Sequence, residues 1–165
     1  MQFKIWLENV SVTPKTVLDM IEWHDSFYDL YPGYSEPSIK GKDYYFKSAR
    51  QATQWAKDII GIFTAFPAQV PVYRAIYAPN EKAIDLINPG EHWSWDRQSA
   101  INFGLRGGGN YLLSAVVDSS GVDWLASIRV YIDFSQHYSN EDEHELVIAD
   151  ESKLSQITVA PLPRR

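Results

Sequence analysis

The 165-residue chain contains no cysteine. This absence excludes a disulfide framework and any metal site built from thiolates, and it favours a reducing compartment. A metal site would need histidine and carboxylate ligands, for which His137, Glu141, Asp142 and His144 are the candidates. Their spacing matches no compact ligand motif, so we expect no metal.

Long apolar runs and an excess of positive charge are also lacking. No apolar run approaches the roughly 18 residues that span a bilayer, and the first residues lack the basic and apolar regions of a signal peptide. The formal net charge of -6 argues against nucleic acid and anionic membranes as partners, because an acidic surface repels both. We therefore predict a cytoplasmic protein, of the producing or of an infected cell, and leave secretion or injection open.

The length and composition are those of one globular domain. A chain that is 45% hydrophobic and 22% charged can bury a core of its own. We predict a single domain over residues 1–165, with a helical part over about 1–66 and a β-rich core over about 70–160. The aromatic content of 14% suits either a pocket for planar groups or a core of large rings.

Helices are predicted mainly in the first part of the chain. Thr13-Pro14 has the pattern of an N-cap followed by proline at the first helical position, and apolar spacing continues the helix through Ile21 and further. Apolar residues at intervals of three and four predict a second helix over 48–63. Residues 81–86 favour a short helix or turn, and 96–103 favour another helix.

Strands are predicted mainly in the second part, which gives an α+β fold with a largely antiparallel or mixed sheet. The glycine-rich residues 106–110 lack the lysine and helix of a phosphate-binding loop, and we predict a flexible connector or a mobile flap there. The predicted strands are 1–8, 70–77, 111–117, 128–134, 146–149 and 157–160.

A pair of carboxylates precedes one of these strands. Glu143 and Glu145 lie two apart, directly before the apolar residues 146–148. Residues i and i+2 of a strand share a face, so the two side chains would project together. Such crowding costs electrostatic energy unless water solvates the pair or a cation or polarised substrate meets it. Either a solvated loop edge or a functional pair fits this pattern.

Three motifs follow one another along the chain: Val72-Tyr73-Arg74-Ala75, His92-Trp93-Ser94-Trp95 and Glu143-His144-Glu145 before an apolar strand. Their order resembles the Arg-Ser-Glu class of mono-ADP-ribosyltransferases, of the small bacterial or phage type. In that family the Arg lies on the first core strand, the Ser opens the next strand or turn, and Glu-x-Glu enters a later strand. The resemblance covers about residues 70–160. It implies a core of two packed antiparallel or mixed sheets preceded by helices.

The resemblance also implies roles for individual residues, with NAD as the substrate and no metal. Glu145 would stabilise the positive charge that develops on the ribose when nicotinamide leaves. Glu143 would activate the acceptor, for which an arginine side chain is favoured. Arg74 would bind the pyrophosphate or the nearby ribose-phosphate. Ser94 would orient Glu145 through a hydroxyl hydrogen bond and help to fix the nicotinamide pocket.

Aromatic residues beside these motifs are further candidates for NAD binding. Tyr73, Trp93 and Trp95 could contact NAD, although the two Trp rings equally suit the core. Two features depart from the family pattern. Ser94-Trp95-Asp96 places a carboxylate where a second serine is usual, and Ala75 stands where glycine is frequent.

These observations predict an effector or toxin-like enzyme that transfers ADP-ribose from NAD to a protein side chain of an unidentified acceptor. Two alternatives stay open. One is an NAD glycohydrolase on the same fold, in which water is the acceptor. The other is a non-catalytic acidic interaction or inhibitor domain that covers a basic surface.

Overall fold

The computed structural model describes residues 12–20, 49–137 and 144–163. The chain divides into two compact units, with the division between Ala65 and Phe66. The described part of the first unit contains helix α1 (residues 14–20) and helix α2 (Ala49–Thr64). The second unit contains the β-sheet. The single-domain organisation over 1–165 stays a prediction.

Both helices of the first unit follow from their sequences. Thr13 caps α1, because its Oγ1 accepts the Thr16 backbone N–H at 3.2 Å, and Pro14 occupies the first helical position. The predicted continuation of α1 from Ile21 lies outside the described residues, as does the strand predicted over 1–8. In α2 the spacing of three and four residues is confirmed by the buried positions Ala56, Ile59 and Phe63.

The strands described in the second unit form one antiparallel sheet in the order β4-β5-β2-β1-β3-β6. The α+β class is therefore confirmed, whereas the two packed sheets implied by the resemblance are not shown. Strand β1 pairs along its whole length with β3, and it pairs with β2 where Tyr73 lies opposite Ser94. The strands are β1 (Gln69–Ile76), β2 (His92–Ser94), β3 (Tyr111–Asp118), β4 (Val122–Asp123), β5 (Glu145–Ile148) and β6 (Leu154–Pro161).

Helix α3 (Arg97–Arg106) packs against β1. The approach is close at Gly104, where an added Cβ would lie 2.2 Å from the Cβ of Ala75. Around this contact Ala100, Leu112 and Leu162 form a buried cluster. Glycine thus lets the helix lie directly on the strand. Shorter 3-10 turns occupy Glu81–Ala83, Ser119–Gly121 and Glu151–Lys153.

Helix α4 (Trp124–His137) replaces the strand predicted over 128–134, so that prediction is wrong. The β-branched residues of this segment favoured a strand, but tertiary packing decided otherwise. Trp124, Ile128 and Ile132 are four residues apart and all fully buried, which is a helical spacing. Asp123 begins the helix by accepting the Ala126 backbone N–H at 3.0 Å. No helix in the described ranges is long and apolar enough to cross a membrane.

The glycine-rich residues 106–110 end helix α3 and are held by hydrogen bonds, which corrects the prediction of a flexible connector or mobile flap. Gly109 donates its N–H to the Gly104 carbonyl at 2.7 Å, and Gly108 has φ 76° between them. This is the Schellman arrangement, in which a left-handed residue ends a helix. Asn110 then fixes the chain to the end of β1, donating from its side chain to the Ala78 carbonyl at 2.7 Å.

Candidate active site

A cavity of about 540 Å³ opens in the second unit. Strands β1, β2 and β5 contribute to it together with helices α3 and α4. Its volume falls within the roughly 300–1,000 Å³ that is typical of small-molecule sites. The residues that line it are Tyr73, Arg74, Ala75, His92, Trp93, Ser94, Ser99, Ala100, Phe103, Val130 and Glu145.

The sheet register brings three of the candidate residues into one row. Ser94 on β2 lies opposite Tyr73 on β1 and opposite Glu145 on β5. Residues that face each other on neighbouring antiparallel strands project from the same face. Tyr73, Ser94 and Glu145 therefore form a cross-strand row in the cavity, although Glu145 is distant from the others in sequence.

Arg74 follows Tyr73 on β1, so it projects from the opposite face of the sheet to this row, and it also lines the cavity. Its Nη1 donates a hydrogen bond to the His92 backbone carbonyl at 3.1 Å. The guanidinium also lies against Gly90, where an added Cβ would come within 2.5 Å of Nη1. Burial lowers the pKa of Arg74, and nearby carboxylates oppose this shift, in decreasing order Glu151, Glu145 and Glu91. An arginine so placed still carries its charge near neutral pH.

The carboxylate of Glu145 is largely withdrawn from solvent, with a side-chain exposure of 19%. Its Oε1 is hydrogen bonded to Nδ1 of His92. Because an ionised carboxylate only accepts hydrogen bonds, the imidazole is the donor. Glu145 therefore presents a carboxylate of fixed orientation to the cavity.

Ser94 is buried, and its hydroxyl contacts the backbone of Asp96. It donates to the Asp96 carbonyl at 2.9 Å and accepts the Asp96 N–H at 3.1 Å. These bonds tighten the turn between β2 and α3. The register places Ser94 opposite Glu145, but the single hydroxyl proton of Ser94 goes to the Asp96 carbonyl, so a bond to the Glu145 carboxylate would require the hydroxyl to turn away from Asp96. The predicted role of Ser94 in orienting Glu145 stays a prediction.

The aromatic candidates have different environments. Tyr73 is half-buried and lines the cavity. Trp93 also lines it, but its side chain is 1% exposed and its indole N–H donates to the Gly90 carbonyl at 2.6 Å. Trp95 is outside the lining residues and packs against Phe66 and Tyr131, with ring centroids 5.2 and 6.0 Å away. Both Trp environments favour the alternative of core rings.

Glu143 lies outside the described residues, so its role as activator of the acceptor stays a prediction. Glu141 and Asp142, two of the candidate metal ligands, also lie outside the described residues. In the part of the chain that the structure describes, no group of three histidine or acidic side chains could hold a metal ion.

Sequence analysis missed contacts around Glu145 that come from distant parts of the chain. His92 binds its carboxylate. The neighbouring His144, with φ 48°, places its Nδ1 3.1 Å from the Ser99 hydroxyl and its ring edge-on to Trp95. A local signal existed only for His92, which shares a strand face with Ser94 two residues later.

Asp96 is explained by the helix that follows it. Its carboxylate accepts the backbone N–H groups of Gln98 at 3.1 Å and Ser99 at 3.4 Å, which makes it the N-cap of α3. Asp96 is also outside the residues that line the cavity. Asp96 therefore serves helix capping, a role that serine can also fill, so capping alone does not account for the departure from the usual second serine.

We expect Asp96→Ala to lower the free energy of unfolding by about 1 kcal/mol, because the cap is lost. Asp96→Ser keeps a capping oxygen and should lose much less. Urea denaturation of both variants checks this. Equal losses in the two variants would show that the cap does not stabilise α3.

Comparisons with known proteins do not place the chain in a family. No family model matches it, and neither curated proteins nor solved structures gave a significant match. The functional argument therefore depends on the residues and geometry of the cavity.

Proposed function

We propose that the protein is a mono-ADP-ribosyltransferase that takes NAD as substrate and transfers ADP-ribose to a protein side chain, with arginine favoured. The observation that carries the proposal is the arrangement of Arg74, Ser94 and Glu145. The three residues come from β1, β2 and β5 in that order and line one cavity. This order supports the proposal, because the resemblance implies Arg on the first core strand and Glu-x-Glu at a later one, and Ser94 ends β2 where the turn to α3 begins.

The chemistry of the lining suits the parts of NAD. Arg74 provides a planar cation, which binds phosphate oxygens through two parallel hydrogen bonds. Glu145 provides a carboxylate that can accept a ribose hydroxyl. Phe103 on α3, a residue that is 55% exposed, adds an aromatic ring that can pack against a planar base.

Loss of nicotinamide leaves positive charge on the ribose, as in glycoside hydrolysis. In the proposed reaction Glu145 stabilises this charge, because a carboxylate fixed in a partly dry cavity interacts more strongly than one in water. Arg74 holds the pyrophosphate and so keeps the sugar beside Glu145. Glu143 would then deprotonate the acceptor side chain.

The primary experiment incubates the protein with NAD labelled in its adenylate part and with cell extract. We expect labelled protein and free nicotinamide. Nicotinamide with labelled free ADP-ribose alone would instead establish a glycohydrolase. Absence of both products would contradict an NAD-cleaving enzyme and favour the acidic interaction domain.

Binding is tested separately by thermal unfolding with Arg74→Lys. NAD at 100 times its dissociation constant stabilises a binding protein by about 2.7 kcal/mol, which raises the melting temperature by several degrees. Lysine retains the charge but cannot bind phosphate in two-pronged fashion. We therefore expect a much smaller NAD-induced shift for Arg74→Lys. An equal NAD-induced rise in melting temperature in the wild type and in Arg74→Lys would show that Arg74 does not bind NAD.

A further inference from the structure

We infer that His92 is a positioning residue that orients the Glu145 carboxylate through its imidazole. The inference rests on the proposed function, because it concerns the carboxylate that the proposed reaction uses. It also adds a residue for which neither the motif order nor the resemblance implies a role.

The contact between the two side chains follows from the sheet register. His92 lies opposite Val147, and Ser94 lies opposite Glu145. His92 and Glu145 are therefore diagonal neighbours on one face of β2 and β5, a separation that long side chains can cross. The hydrogen bond from Nδ1 to Oε1 is thus built into the pairing of the strands.

This bond restricts a side chain that would otherwise be free to rotate. Glutamate has several rotatable bonds, so ordering its carboxylate costs conformational entropy. If the carboxylate is already held in one orientation before substrate binds, this entropy is not lost during the reaction. The low exposure of Glu145, 19% of its side chain, also reduces screening of the bond by water and salt. His92 therefore presets the geometry of the carboxylate.

His92 contacts Arg74 through its backbone carbonyl and not through its imidazole. The guanidinium of Arg74 is bound to the His92 backbone carbonyl, which a side-chain substitution retains. Replacing the imidazole should therefore disturb Glu145 and leave the Arg74 contact in place. The expected result is a loss in kcat with little change in KM, because Arg74 would still hold the substrate.

The other ring nitrogen provides a matched control. Nε2 of His92 lies 3.2 Å from Oε1 of Glu91, and the two side chains are 52% and 63% exposed. Ion pairs between such exposed groups contribute little. Glu91→Gln therefore changes the surroundings of the same imidazole without removing its bond to Glu145.

The test measures nicotinamide release from NAD by His92→Leu, His92→Asn and Glu91→Gln. We expect His92→Leu to lower kcat by about 10- to 100-fold with KM within about threefold, the loss typical of a misplaced reacting group. His92→Asn places an amide N–H near the position of Nδ1 and should recover most of kcat. Glu91→Gln should keep kcat within about twofold.

A wild-type kcat in His92→Leu would overturn the inference and leave the proposed function intact. A loss of kcat in His92→Leu that His92→Asn does not recover would have the same meaning. Nitrogen NMR of the imidazole gives a readout that needs no activity. The Nδ1 resonance of His92 should move in Glu145→Gln, and an unchanged resonance would refute the contact. If the wild-type protein releases no nicotinamide, the proposed function fails, and the role of His92 in it fails as well, even if the NMR shift verifies the contact.

Discussion

Glu145→Gln is expected to lower the rate of nicotinamide release from NAD by at least about 100-fold, the scale of losing one group that stabilises a transition state. Glutamine keeps the size of the side chain and a carbonyl oxygen, but it loses the negative charge. NAD binding should remain, because Arg74 is untouched. The measurement is steady-state release of nicotinamide, with the NAD-induced change in melting temperature recorded for the same variant.

Glu81→Gln is the control for this substitution, because Glu81 is exposed and outside the residues that line the cavity. It makes the same chemical change and should retain wild-type activity. A Glu145→Gln protein with wild-type rates would disprove the role of Glu145. Glu143→Gln adds a comparison that depends on the sequence alone, namely that transfer to protein should fall further than NAD cleavage.

Gly104→Ala is expected to lower the free energy of unfolding by about 1–3 kcal/mol, because it overpacks the contact between α3 and β1. The new Cβ would lie 2.2 Å from the Cβ of Ala75 and 3.0 Å from Cδ1 of Leu162. Neither the strand nor the helix can accept this without moving. The movement should also reach the cavity, since α3 carries Ser99 and Phe103.

Gly61→Ala makes the same substitution in α2 and should have the opposite sign. Gly61 is exposed, and an added Cβ would meet nothing within 4 Å. Alanine is the better helix former, so a gain of about 0.5–1 kcal/mol is expected. Urea denaturation of both variants decides the matter. A stabilised Gly104→Ala protein would show that the close approach of α3 to β1 does not exist in solution.

Local patterns in the sequence predicted several elements well. The cap at Thr13, the spacing in α2 and the β-branched run of β1 each depend on residues close in the chain. The segment over 128–134 shows where such patterns fail. Its composition suits a strand, but it forms a helix because a helix buries Trp124, Ile128 and Ile132 on one face.

The functional role of the candidate site residues stays a prediction, and the sequence did not indicate the contacts that surround them. The order of motifs predicted Arg74, Ser94 and Glu145, and the structure places all three around one cavity. The contacts of His92 depend on which strands pair and in which register, and no short stretch of sequence determines that. The capping role of Asp96 was visible in principle, since aspartate before a helix is a common cap.

The position of β2 has a consequence for how the chain folds. This strand of three residues lies between β1 and β5, and β5 follows it only after α3, β3, β4 and α4. Contacts between residues so far apart in sequence form slowly, because a long loop must close first. The cavity is therefore complete only once β5 has paired, and a partly folded chain that contains β1, β2 and β3 alone still lacks the carboxylate of Glu145.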